Sequence, residues 1–146
     1  MSHPVSSIYL DEQVARALTS LPAAGAWDSA PPVLYCDPFV SMLLFCKYKR
    51  GGTGGACTIK VEMAVHTGSD WYQTTAYKCG AVTAGSDVTS NVQRETYTYQ
   101  ATSAADEQFI LGPIQLGGGV NHVRVVAKES GATSTPGTLE IFARFA

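Results

Sequence analysis

The side chains that could do covalent or metal chemistry are few and scattered. Four cysteines, Cys36, Cys46, Cys57 and Cys79, and three histidines, His3, His66 and His122, are spread along the chain. A zinc site or a dithiol redox centre needs a close pair such as CxxC, and no such pair occurs. Cys46 and Cys57 fall in apolar alternation, the pattern of small buried hydrophobes, whereas Cys79 precedes Gly80 and is the cysteine expected nearest the surface. A Cys–His nucleophile pair can be assembled from residues distant in sequence, so the pattern leaves one open. No histidine has a second at metal-ligand spacing, and neither a GxSxG elbow nor an HExxH helix is present. The adjacent Asp106 and Glu107 point to opposite faces if extended, and Asp70 and Asp87 sit beside serines in turn-like positions. The run from Gly51 to Gly55 is glycine-rich but lacks the following Lys-Ser or Lys-Thr of a phosphate loop. No catalytic, cofactor or metal site is therefore proposed from the residues, and a non-enzymatic role is expected.

Aromatic side chains offer a different chemistry. Trp71, Tyr72, Tyr77, Tyr97 and Tyr99 have the composition of a sugar-binding platform, and equally of ordinary half-buried sheet aromatics. Arg94 and Glu95 beside them suit a cross-strand ion pair. Of the 146 residues, 15% are charged against about 25% in an ordinary soluble domain, which suits a surface partly covered by partners. A net charge of −2 gives no electrostatic grip on nucleic acid. No apolar run approaches the ~18 residues of a membrane span, and the start MSHPVSSIYLDEQ has no signal-peptide pattern. An even cysteine count without that signal favours reduced thiols.

The elements that must position these groups read as strands and turns. Residues 1–20 form a separate arm, either extended or a short helix with Asp11 and Glu12 in its first turn. Residues 21–146 form one domain. Pro38 divides a short strand ending at Cys36 from a long one over 39–49. The glycine run then predicts a β-hairpin, with a strand over 57–65 alternating apolar and polar residues. Setting Cys46 opposite Cys57 places Leu44 on Ile59, Met42 on Val61 and Val40 on Met63, an unbroken apolar face. The same register puts the two thiols side by side, where a disulfide is conceivable but not required. Further strands are expected over 71–79, 87–100, 107–114, 120–128 and 138–145. About eight strands at short spacing, with no long helical stretch, predict an all-β antiparallel sandwich of jelly-roll type.

Several segments together, YKRGGTGGACTIKVEM, DWYQ, VQRETYTY, FILGPIQL and KESGATSTPGTLEIFARF, resemble a family of small β-sandwich structural proteins of tailed bacteriophages and prophages. The resemblance runs from about Ala24 to the end, and its turn-and-strand motifs carry no catalytic residues. It implies a virion structural protein that decorates or cements the capsid, with the major capsid protein as partner and a homo-oligomer, a trimer, as assembly. A neck or tail protein is the alternative within that class, and a carbohydrate-binding module the alternative outside it. Ile8, Tyr9 and Leu10 of the arm, with Trp71 and Tyr72, are the candidate interaction residues.

Overall fold

The computed structural model describes residues 11–65, 70–79, 90–117 and 119–146. Among these residues eleven strands follow in chain order: β1 (Glu12–Ser20), β2 (Leu34–Tyr35), β3 (Ser41–Lys49), β4 (Ala56–Ala64), β5 (Tyr72–Gln73), β6 (Thr75–Cys79), β7 (Ser90–Arg94), β8 (Tyr97–Gln100), β9 (Glu107–Gln115), β10 (His122–Glu129) and β11 (Thr138–Phe145). One turn of 3-10 helix, Ala23–Gly25, lies between β1 and β2. A four-stranded sheet has the order β1-β11-β3-β9, and a five-stranded sheet has β2-β10-β4-β5 with β8 also on β4. The two-stranded ribbon β6-β7 stands apart from both. The chain therefore pairs β1 with β11, β2 with β10, β3 with β9, and β4 with β5 and β8. Such nested antiparallel pairing, outermost with outermost, is the jelly-roll sandwich.

That pairing overturns the expected hairpin. β3 and β4 do not pair: β3 lies between β11 and β9, and β4 between β10 and the strands β5 and β8 of the other sheet. The glycine run is an arch that carries the chain from one sheet to the other. The register argument failed for a definite reason. Inward residues of β3 and β4 are apolar whether they are neighbours in one sheet or face each other across the core, so side-chain parity cannot tell the two apart. Met42, Leu44 and Cys46 of β3 and Cys57, Ile59 and Val61 of β4 are indeed all buried in one core. Only Gly54 of the arch uses a left-handed φ, 82°. Gly51 serves close approach instead, since a methyl there would collide with the carbonyl oxygens of Thr135 and Pro136 in the β10–β11 loop.

One side chain ties this arch to that loop. Glu129, 6% exposed, accepts hydrogen bonds from Tyr48 Oη (2.7 Å) and from the backbone N–H groups of Ala56, Gly131 and Gly137 (each 2.9 Å). Burial alone would raise its carboxyl, but the donors from Gly137, Ala56, Tyr48 and Gly131 outweigh burial and hold it below its ordinary value. The Tyr48 hydroxyl is pushed up, first by burial and then by its bond to Glu129.

Of the two readings of the arm, extended or short helix, the extended one holds from Glu12 onward, where the chain is the edge strand of the four-stranded sheet, hydrogen-bonded along β11. An isolated short helix is marginal in water, and the edge of β11 offers a full row of unpaired backbone groups. Two register shifts around Arg16 bulge the strand, so that consecutive residues Ala15 and Arg16 are both buried. The Arg16 guanidinium makes a two-point contact with Asp28 (2.9 and 3.1 Å) and donates to the carbonyls of Thr19, Ser20 and Leu139. Asp28 in turn accepts from the N–H of Ala127 on β10. This pair closes one side of the sandwich, and Tyr99 stacked on Phe109 at 4.1 Å closes another.

Candidate interaction face

The groups with chemical potential are placed first. Cys36, Cys46 and Cys57 are buried free thiols, pushed up to about 11, about 12 and about 12, in each case chiefly by burial. As protonated thiols they are poor nucleophiles and poor metal ligands. His122 packs edge-on against Tyr35, ring centroids 5.4 Å apart. His3 and His66 lie outside the described residues. Among the described residues no group of His, Cys, Asp and Glu is arranged to hold a metal ion.

Of the aromatics that could form a sugar-binding platform, the side chain of Tyr77 lies outside the described residues, and the half-buried reading holds for Tyr97 and Tyr99. Tyr97 and Tyr99 turn inward and pack against the core. Trp71 lies under the Arg124 guanidinium, 4.3 Å from the ring centroid, and that arginine also holds Glu62 at 2.8 Å. Tyr72 remains exposed. Ile8, Tyr9 and Leu10 lie outside the described residues.

A site that motif reasoning missed stands on the outer face of the four-stranded sheet. Val14, Phe142, Phe45 and Ile110 are direct cross-strand neighbours in successive strands β1, β11, β3 and β9. They form one apolar row across the whole sheet. Each is substantially open to solvent: Val14 47%, Phe142 37%, Phe45 41% and Ile110 59%. Contiguous exposed apolar surface of this kind marks a contact site far more often than a scattered single leucine does. Charged rows border it on both sides. On one, Arg144 approaches Asp11 (3.7 Å) and Glu12 (3.8 Å); on the other, Lys47 approaches Glu140 (3.8 Å). Shallow depressions flank the phenylalanines, one bounded by Lys47, Gln108 and Glu140 and one by Glu12 and Arg144.

A signal for this face was present in the sequence. The segment SMLLFCKYK is apolar at both parities through Cys46, and Phe142 interrupts the alternation of β11 at an outward position. Strands that are apolar on both sides read as covered on both sides. Here the second cover is not supplied by any described part of the chain. Compared with known protein families, with curated proteins and with solved structures, the chain matches none.

Proposed function

We propose that this protein is a non-catalytic assembly component, a structural protein of a bacteriophage virion that cements the capsid by binding the major capsid protein. The observation that carries the assembly reading is the apolar row Val14–Phe142–Phe45–Ile110, contiguous across four strands and open to solvent. The buried ionisable groups support it from the other side, since Glu129 and Arg16 are spent on holding strands and loops together. The virion setting rests on the resemblance of the strand-and-turn segments and on the jelly-roll sandwich, an architecture shared by viral coat domains. Repeated over a symmetric shell, modest contacts of a rigid sandwich add up to substantial stabilisation.

The test is addition of the full chain to undecorated phage heads. Saturable co-sedimentation is expected, weakened by deletion of residues 1–10. A deletion through residue 20 is the wrong experiment, because it removes β1 and leaves the β11 edge and Asp28 without partners. Failure to bind heads at any concentration sinks the capsid role. Binding to tails instead would move the protein to the neck or tail.

A further inference from the structure

We propose that the apolar row of the four-stranded sheet is the contact between two copies of this chain, packed sheet on sheet about a two-fold axis. The inference rests on the assembly reading and names the occupant of its surface. Two facing sheets related by a two-fold must have that axis in the plane between them. The row Val14–Phe142–Phe45–Ile110 crosses the sheet from edge to edge, so it meets itself under either natural choice of axis. With the axis along the strands, β11 faces β3 of the second copy, so Phe142 opposes Phe45 and Val14 opposes Ile110. With the axis across the strands, each residue of the row opposes its own counterpart. Both arrangements give the aligned packing of ordinary β-sandwich interiors.

The bordering charges fit a second copy better than a partner of one strong charge. Glu12 and Arg144 lie on one side of the row, Lys47 and Glu140 on the other, so acids and bases are matched within the face itself. An axis along the strands sets Glu140 against Lys47 of the second copy. An axis across them sets Glu140 against Arg144 of the second copy. Either way an acid meets a base, as self-association demands, and a surface made for a strongly charged partner would carry one sign. Four strands of this length present about 600 Å² per copy, from strand spacing and rise, which is below the usual ~800 Å². Association in the micromolar range is therefore expected.

Sedimentation of the full chain up to about 300 µM tests this, with circular dichroism confirming the fold of each variant. The wild type is expected to form a dimer. Ile110→Lys and Glu140→Lys should each weaken it by about tenfold or more, the second because it brings two cations together under both axes. Adding Arg144→Glu to Glu140→Lys restores association if the axis crosses the strands, and adding Lys47→Glu restores it if the axis follows them. A wild-type monomer at the highest concentration overturns the proposal. So does a trimer or other oligomer indifferent to Ile110→Lys, a loss that neither second reversal repairs, or a monomer that pairs only after residues 1–10 are removed. A monomer that still saturates phage heads would sink this inference and leave the virion reading standing, whereas a dimer that ignores heads would do the reverse.

Discussion

The outer faces of the two sheets share one backbone plan and present opposite surfaces. On the outer side of the five-stranded sheet two tryptophans are roofed by cations of the same chain. Trp27 lies beneath both Lys60 and Lys128, at 4.4 and 4.6 Å, and Trp71 beneath Arg124. The aliphatic stems of these residues cover apolar surface and leave their charges in water. On the four-stranded sheet no described residue roofs Phe45 or Phe142, and the charges beside them, Lys47, Glu140, Glu12 and Arg144, pair with one another in the bordering rows. A face roofed by its own cations and a face left open are thus distinguished less by their aromatic content than by where the long charged side chains lie.

The largest expected effect falls on the core that both faces share. Glu129→Gln replaces an acceptor of four hydrogen bonds by an amide whose NH2 meets N–H donors, at a cost of about 3 kcal/mol in urea unfolding. Its carboxyl is depressed in the folded chain, so its stabilisation is complete above the ordinary value of about 4.3 and is lost as pH falls through the lower native one. Wild type and variant should therefore converge in stability in acid; parallel curves would show that the charge is not what ties the arch. Next in size, Trp27→Ala should cost about 2 kcal/mol from two lost cation contacts and buried ring area. Unchanged self-association in that variant would keep the two faces separate in role, and a changed one would merge them. Ile110→Lys, at the open end of the apolar row, should alter monomer stability by no more than about 0.5 kcal/mol. A larger loss would make the row part of the fold and break the comparison. Smallest of all, Cys36, Cys46 and Cys57 should ignore a thiol reagent at neutral pH until denaturant is added, and labelling in the native state would show the core to be open.

Much of the strand layout was legible because side-chain alternation is a local property. The strand expected over 138–145 is β11 to the residue, and the break at Pro38 separates β2 from β3 as expected. The site was less legible. Trp71 and Tyr72 drew attention by type, but Trp71 is covered by Arg124, a partner from another strand that no spacing announces. The row Val14–Phe142–Phe45–Ile110 takes one residue from each of four strands, and its members become neighbours only when those strands are ordered. Nothing in the sequence singles out Glu129 and Arg16, because their partners Tyr48, Gly137, Asp28 and Leu139 come from other elements.

By itself the sequence determined that this chain is made of strands, which residues of each strand share a face, and that one such face is dry. Those facts follow from the two-residue period of an extended backbone. Which strand lies beside which was decided only in three dimensions. A glycine-rich connection can fold back as a hairpin or cross over as an arch, and both bury the same side chains. The choice between them is made by long-range contacts, here the carboxylate of Glu129 and the tight fit of Gly51 against the β10–β11 loop.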